Sequence, residues 1–414
     1  MKKILIVGNS AKEYALAKKM SETCEVYAAP GNDAMQEFAT CVDIRENSPA
    51  ELLEYVMENG IDLTIPVSQK SVECDIAKLF ENNGQQIFAP TKNAGYIAFD
   101  KVSAKRLLYK LHIPTPKFGI FEKTSLILDY IKNTKPPFVI KTNESSSATV
   151  FTSFNSAKNI VESLLSSSQQ KVIIEDYIWG IPFGFYVLTD GYKALPLGSS
   201  VLYKHSLEGD GGQLTGGMGS CVPNYKLSLD NEAFLINRVI YPTLEYLQKE
   251  GTPYIGIIGV NGILTEGGEI EILGYQTFLQ DADCEGILEL LDADLYTLFE
   301  ACAMGTFSDD IDYIGQKNLS AVSLVLNCRN KDNNGNIISG LDDLDDDIKL
   351  SFFAGTKKNK YFEYEANNGQ VAILTAFGGT VTAASEKIYN EVKLINFSGM
   401  HYRTDICKSF EQCF

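Results

Sequence analysis

The chain has 414 residues, 45% of them hydrophobic and 21% charged, and its 53 Asp and Glu against 36 Lys and Arg give a formal net charge of -17. That excess of carboxylates repels phosphate backbones and anionic headgroups, and no Lys/Arg-rich block offsets it, which argues against nucleic acid and membrane as partners. The start MKKILIVGNSAKEY holds an apolar run too short for a signal-peptide core or a spanning helix, so the sequence reads as a cytoplasmic globular protein of roughly two to four domains.

In chain order, KKILIVG reads as a buried strand and SAKEYALAKKMSE as a helix opened by Ser10. CEVYAA is a strand, SPAELLEYVMENG a helix started by proline and stopped by glycine, and IDLTIPV a further strand. This alternation predicts a parallel sheet covered on both faces. The turn GNSAKE has one glycine where a dinucleotide fingerprint needs three, so a NAD site is not indicated. From KVSAKRLLYKLHIPTP onward the pattern becomes α+β. Strands are expected at PFVIKTN, KVIIEDYIWG and FGFYVLTDG, and helices at 124–134 and 153–167. A long helix over about 230–250 leads into YIGIIGVNGILTEGGEIEILGYQ, two antiparallel strands turning at Gly267 and Gly268. The tail supplies the strands AVSLVLNC, KLSFFAGT and QVAILTAFGG and a helix near 382–395. The acidic run LDDLDDDI at 341–348 reads as a solvated loop, because its carboxylates are consecutive rather than spaced as ligands.

The nine cysteines, at positions 24, 41, 74, 221, 284, 302, 328, 407 and 413, are an odd number without any C-x-x-C. They fit neither a disulfide framework nor a zinc site, and are expected as reduced, mostly buried thiols. His112, His205 and His401 are dispersed, which leaves no basis for a nucleophilic triad.

The stretch LTGGMGS at 214–220 places three glycines within four positions, a composition that lets backbone N–H groups approach an anion without a Cβ in the way. Together with KILIVGNSAKEYALAKKM, IDLTIPV, IFAPT, DKVSAK, PFVIK, IIEDY, YIGII, FFAGTK and YRTDI, it falls in the order and near the spacing of one family. From end to end the chain resembles the glycinamide ribonucleotide synthetase (phosphoribosylamine-glycine ligase) family of the ATP-grasp superfamily, which writes this loop N-T-G-G-M-G.

The resemblance implies a mixed α/β and α+β ATP-grasp fold. It would have an N-terminal α/β domain at 1–100, one lobe of a nucleotide clamp at 101–190, a second lobe with the core sheet at 191–320, and a small C-terminal domain at 321–414. It implies an ATP-dependent ligase acting on small-molecule carboxylate and amine substrates as a monomer or homodimer. In the family, ATP phosphorylates the carboxylate of glycine and the amine of phosphoribosylamine displaces the phosphate. By the same resemblance Lys105 and Lys141 reach the nucleotide phosphates, and Glu175, Asp176, Tyr177 and Ile178 form the hinge against the adenine edge. Lys204 and Asp210 occupy the catalytic positions, and Thr215, Gly216, Gly217, Met218 and Gly219 form the loop beside phosphates and glycine.

Departures from the pattern are equally specific. The glycine-rich flap reads TNESSSATV at 142–150, and the G-P-E of the phosphoribosyl site reads Val67-Ser68-Gln69. Paired glutamates after the hinge are Ile181 and Pro182, and D-H-K-R reads Leu202-Tyr203-Lys204-His205. Mg²⁺ is expected from the family, yet its Glu and Asn ligands fall on Gly274 and Gln276, so no metal ligand is assigned. Glu269 and Glu271 lie nearby but, on an unbroken strand, face away from 274 and 276; bringing either across requires a bulge or a one-residue slip. Asp281 and Asp283 follow the strand. His401, Tyr402, Arg403 and Asp405 read as a structural tie for the last segment. Three functions are therefore open: a ligase with a changed substrate, the purine-pathway ligase itself, and a non-catalytic binding or regulatory protein on the same scaffold.

Overall fold

The apolar runs of the first hundred residues build a parallel sheet. In a computed structural model describing residues 1–143, 148–158, 161, 171–307, 313–329 and 336–408, β1 (Lys2–Gly8), β2 (Cys24–Pro30), β3 (Thr40–Cys41) and β4 (Leu63–Pro66) pair in the order β3-β2-β1-β4. Ile4 and Ile6 enter one core and Leu5 and Val7 another, so β1 is apolar without alternation because both of its faces are covered. The helix Pro49–Asn59 starts on its proline and ends at Gly60, whose φ of +61° closes a left-handed cap.

A second sheet is antiparallel. It contains β5 (Phe118–Phe121), β6 (Phe138–Thr142), β7 (Thr149–Phe151) and β8 (Val172–Asp176), ordered β5-β8-β6-β7. Phe138, Ile140, Val172 and Ile174 bury one face against Ile127 and Ile131 of the helix Thr124–Asn133. The helix expected at 153–167 is seen at 154–158; 159–160 and 162–167 lie outside the described residues, as do 144–147 of the TNESSSATV segment.

The largest sheet has nine strands. Its members are β9 (Ile181–Thr189), β10 (Ala194–Leu207), β11 (Gly211–Val222), β12 (Gly256–Leu264), β13 (Ile270–Gln276) and β14 (Ser320–Cys328), followed after the short β15 (Asn336–Ile337) by β16 (Lys349–Phe352). After β17 (Lys357–Lys358) and β18 (Tyr364–Ala366) come β19 (Gly369–Gly378) and β20 (Met400–His401). The order is β13-β12-β9-β10-β11-β14-β19-β16, with β20 on β14, while β15, β18 and β17 form a separate ribbon. β12 and β13 meet at the expected turn, where Gly268 has φ of +81°. The long helix runs through Leu229–Phe234, a π-helical turn Leu235–Ile240 and Tyr241–Lys249; the wider turn precedes Pro242, which has no N–H to donate.

Two expectations change. The stretch 214–220 is not a loop but the middle of β11. Gly219 pairs with Tyr203 on one side and Leu324 on the other, and a Cβ there would lie 2.4 Å from the Ser323 carbonyl oxygen. That glycine is required by strand packing. Cys221 of β11 and Cys407 of the tail are in disulfide contact, Cα atoms 6.3 Å apart across 186 residues, so the expectation of reduced thiols throughout does not hold. Cys24, Cys284, Cys302 and Cys328 are buried free thiols as expected; Cys413 lies outside the described residues.

Arg403 ties the same tail to the β10–β11 hairpin. Its buried guanidinium donates to both carboxylate oxygens of Asp405, to Asp210 at 2.9 Å and to the His205 carbonyl at 3.1 Å, and it lies over the Tyr203 ring.

Gly219→Ala is expected to destabilise the protein by roughly 1–3 kcal/mol through overpacking against backbone that cannot withdraw. Urea unfolding followed by far-UV circular dichroism measures this, and an unchanged midpoint would contradict the packing account.

Candidate functional site

Strand alternation aims two charged side chains away from the core of the small sheet. On β6 and β8 residues 138, 140, 172 and 174 join the core beneath the sheet, so Lys141 and Glu175 project from the opposite face, where Val139 pairs with Glu175 and Lys141 with Ile173. The helix Lys101–Lys110, packed through Ala104, Leu107 and Leu108 into the core under β12 and β13, brings Lys105 to the same place. Lys105 Nζ lies 2.9 Å from Glu175 Oε2 and donates to Thr115 Oγ1 at 2.6 Å, while Lys141 Nζ contacts Glu175 Oε1. Lys101, one helical turn before Lys105, donates to the Thr142 carbonyl at 2.8 Å.

One carboxylate thus serves two buried or half-buried ammonium groups, with a third alongside. Burial pulls Lys105 from its ordinary 10.5 down to about 8, Lys141 adding to the effect and Glu175 opposing it. Lys101 is lowered by burial and by Lys141. Burial pushes Glu175 up, but Lys141 and Lys105 outweigh it and hold the carboxyl below its ordinary value. In a chain of net charge -17 this is a local cationic surplus, and an anion placed there would restore the charge that burial and repulsion disfavour.

The opposite wall belongs to the nine-stranded sheet. Between the Tyr203–Gly219 and His205–Leu214 pairs, Lys204 alone faces residues 215–218, so β11 bows outward. Thr215 Oγ1 donates to the Lys204 carbonyl at 2.9 Å and accepts from Gly217 N at 3.1 Å. Lys204 Nζ donates to the Gly216 carbonyl at 3.1 Å and to Gln280 Oε1. Gln280 Nε2 in turn donates to Asn261 Oδ1 at 2.7 Å and to the Tyr186 hydroxyl at 3.1 Å, which donates at 2.8 Å to the fully buried Asp283. Burial lowers the Lys204 ammonium, against the pull of Asp283 and Asp281.

The two walls enclose a cleft of about 390 Å³. Lys105, Lys141, Glu175, Asp176, Tyr177, Ile178, Lys204, Asp210, Thr215 and Gly216 all line it. Gly217, Met218 and Gly219 turn into the sheet instead: Met218 is buried beside Asn327, and Gly217 gives its carbonyl to Gln370. Asp210 is exposed and its carboxylate is engaged by Arg403. The resemblance places Glu175 in the hinge and assigns no site role to Lys101, Asn261 or Gln280. For Glu175 the signal was available in the alternation of VIIED, and for Lys101 in its four-residue spacing from Lys105; Asn261 and Gln280 carry no local signal.

Among the described residues no group of three or more His, Cys, Asp or Glu is placed to hold a metal ion. Gly274 presents open space, with nothing within 4 Å of a built Cβ, and Gln276 an amide. Asp281 accepts from Ser10 Oγ and Lys12 N, and Asp283 accepts from Tyr186 and Ser200 through one oxygen while its other oxygen is buried without a hydrogen-bond partner. The expectation that Glu271 faces away is overturned. Asn261 pairs with Gly274 but Gly262 with Ile272, so Leu273 is a bulge. Beyond it the parity reverses: Ile270, Ile272 and Tyr275 share the buried face, while Glu271, opposite Ile263, shares the face of Asn261, Gly274 and Gln276. The bulge is pinned from outside, since Ile272 N donates to the Pro114 carbonyl at 2.8 Å and Thr115 Oγ1 to the Ile272 carbonyl at 2.7 Å. Glu271 Oε2 is buried without a hydrogen-bond partner, and burial raises the carboxyl against the pull of Lys105.

Comparison with known proteins extends over nearly the whole chain. The phosphoribosylglycinamide synthetase N domain matches residues 2–97, the ATP-grasp (A) domain 99–284 and the C domain 329–409. The chain is 29% identical over 419 residues to phosphoribosylamine–glycine ligase of Clostridium acetobutylicum, covering 98% of this chain and 100% of that one. It is 28% identical over 420 residues to that of Caldanaerobacter subterraneus, covering 99% and 100%. Among solved structures, phosphoribosylamine–glycine ligase of Thermotoga maritima superposes with a TM-score of 0.81 at 23% identity, over 98% of this chain and 100% of that one. The biotin carboxylase–β,γ-ATP complex of Campylobacter jejuni gives 0.72 at 13%, over 99% and 98%, a likeness of fold.

A polyanion binds the protonated lysine cluster and raises its pKa values, so affinity must fall as pH climbs through the free value of Lys105, about 8. ADP affinity is expected to be level between about pH 7 and 7.5 and to weaken steadily above 8, approaching tenfold per unit at the limit. Trp179, the chain's single tryptophan, packs edge-on to Tyr177 of the cleft wall at 4.8 Å and supplies a fluorescence readout. In Lys105→Met the weakening above pH 8 should disappear.

Proposed function

Because the chain belongs to the phosphoribosylglycinamide synthetase family and has the ATP-grasp fold, we propose that it is an ATP-dependent carboxylate–amine ligase of the phosphoribosylamine–glycine ligase type. The observation that carries this reading is the convergence of Lys105 and Lys141, from helix and sheet, on the single carboxylate of Glu175 within one cleft. The cationic end suits the phosphates of a nucleotide. Toward the 177–180 connection the lining is apolar, with Ile173, Ile178, Phe183 and Leu202, and suits a flat heterocycle.

In such a ligase the carboxylate donor attacks the terminal phosphorus of ATP, forming an acyl phosphate and ADP. The amine then attacks the acyl carbon, and phosphate leaves as the amide forms. Lys141 and Lys105 would stabilise the charge on the transferring group, and Lys204, held by Gln280 and the Gly216 carbonyl, would face the acyl phosphate from the other wall.

The acceptor end supports a change of substrate. Val67 and Ser68 each give their N–H to the Val7 carbonyl, Ser68 precedes the short helix Gln69–Glu73, and Gln69 stands where the family has a glutamate. A second reading, a nucleotide-binding protein without catalysis, is favoured by one observation, the absence of any side chain at Gly274.

Millimolar ATP is expected to raise the melting temperature, a ligand at a hundred times its Kd adding about 2.7 kcal/mol, and Lys141→Ala should remove the shift. Phosphate release requiring both glycine and phosphoribosylamine would establish the full reaction. A melting shift with no phosphate release would leave the changed substrate or the non-catalytic reading, and no shift at all would defeat the nucleotide site.

A further inference from the structure

The hydrogen bonds behind Lys204 have only one self-consistent direction. An ammonium can only donate, so Gln280 must turn its amide oxygen to Lys204, and its nitrogen must then donate to the two other partners. The fully buried Asp283 fixes the far end: it takes the Tyr186 hydroxyl proton at 2.8 Å, which leaves the Tyr186 oxygen to accept from Gln280 at 3.1 Å. Asn261 must likewise turn its oxygen to Gln280, at 2.7 Å. Its NH₂ group is then left for the cleft that Asn261 lines, with no partner among the described residues. Lys204, on the other side of the same amide, gives two of its three N–H groups to Gln280 and the Gly216 carbonyl and keeps the third. Two donors bridged by one amide, one of them charged, therefore stand together in the cleft wall.

What this end of the cleft lacks is a negative counter-charge. Three acidic side chains line the cleft: Glu175 is shared by Lys105 and Lys141, Asp210 is engaged by Arg403, and Asp176 borders the 177–180 connection. Asp281 and Asp283 are not in the lining, and Gln276 offers an amide that carries no charge. Leu214, where the family pattern N-T-G-G-M-G has asparagine, adds an apolar side chain to the same lining. A carboxylate set against Lys204 and Asn261 meets donors, whereas an ammonium one carbon away from it would be desolvated beside another cation with no carboxylate to receive it. We propose that Lys204 and Asn261 form the subsite for the acid donor, and that this donor is a small carboxylic acid without an α-ammonium group, a 2-hydroxy or unsubstituted acid rather than an amino acid. The proposal rests on the ligase reading given above and names its donor class.

The test compares glycolate with glycine, which carry a hydroxyl and an ammonium on the same carbon. Binding of each to the ADP-loaded full chain is read by saturation-transfer NMR near neutral pH, and acyl transfer by hydroxamate formation with Mg²⁺–ATP and hydroxylamine. In that assay the carboxylate oxygen attacks the terminal phosphorus and ADP leaves; the hydroxylamine nitrogen then attacks the acyl carbon, losing a proton as phosphate leaves. Glycolate is expected to bind at least about tenfold more tightly than glycine and to be the better hydroxamate former. Asn261→Asp keeps one oxygen for Gln280 and turns the other to the cleft, and should reverse the preference toward glycine; Lys204→Met should weaken glycolate binding by at least about tenfold. Equal or tighter binding of glycine by the wild-type chain overturns the proposal, and this comparison stands even if a variant fails to fold. Binding of neither acid while ADP still binds also overturns it and leaves the nucleotide reading intact. Glycolate preference without any hydroxamate would uphold the subsite and its acid class and defeat the ligase reading alone. Failure of ADP to bind at all would defeat the reading of the cleft and this inference with it.

Discussion

The placement of Glu175 between Lys105 and Lys141 is the constraint on which the cleft depends. A buried ammonium without a partner costs several kcal/mol and responds by losing its proton. Two such groups facing each other would do so readily. A single carboxylate between them keeps both near their charged forms, and because the ratio is one to two the neutralisation is incomplete. With a second carboxylate the cluster would be satisfied and indifferent to anions; with none it would be neutral. The surplus gives an acidic protein a cationic wall in this cleft, which suits an anion.

Much of this fold was legible because its local signals agree with its packing. The alternation in residues 1–66, the Pro49 start and Gly60 stop, and the Gly267–Gly268 turn are each set by neighbours in sequence. The lysines were legible by resemblance. The counter-ion was not, because Glu175 meets Lys105 and Lys141 across 70 and 34 positions, and a hinge reading had already given it a use. The glycines of 215–219 show the opposite failure. Their composition fits a phosphate loop, yet Gly219 is glycine because β14 runs within a Cβ's reach of it, and only Thr215 and Gly216 reach the cleft. Cys221 and Cys407, 186 positions apart, carry no spacing signal at all.

The bulge at Leu273 illustrates why side-chain face is the least secure inference from a strand. Period two makes the prediction sharp, and one extra residue reverses it completely. Its location is decided by pairing, not by local propensity: β13 is an edge strand, and Pro114 and Thr115 dock on Ile272 from outside. Thr115 also receives Lys105, so the contact that fixes the bulge fixes the lysine. The side chains at 271 and 105 are therefore positioned by one shared residue.

A similar economy joins the two ends of the molecule. Gln280 and Asp281 are consecutive, at the start of the helix Asp281–Leu290, and they look in different directions. Gln280 holds Lys204 in the clamp, whereas Asp281 accepts from Ser10 and Lys12 at the carboxyl end of β1, where parallel sheets place ligands at the reversal of strand order between β1 and β4. Any motion of that helix start moves both. The scaffold transmits position through buried contacts of this kind. Gly274 shows the point from the other side: its missing side chain leaves open space rather than a collapsed wall, because the β12–β13 ladder and the core beneath Ile272 and Tyr275 hold the strand regardless of what residue 274 carries.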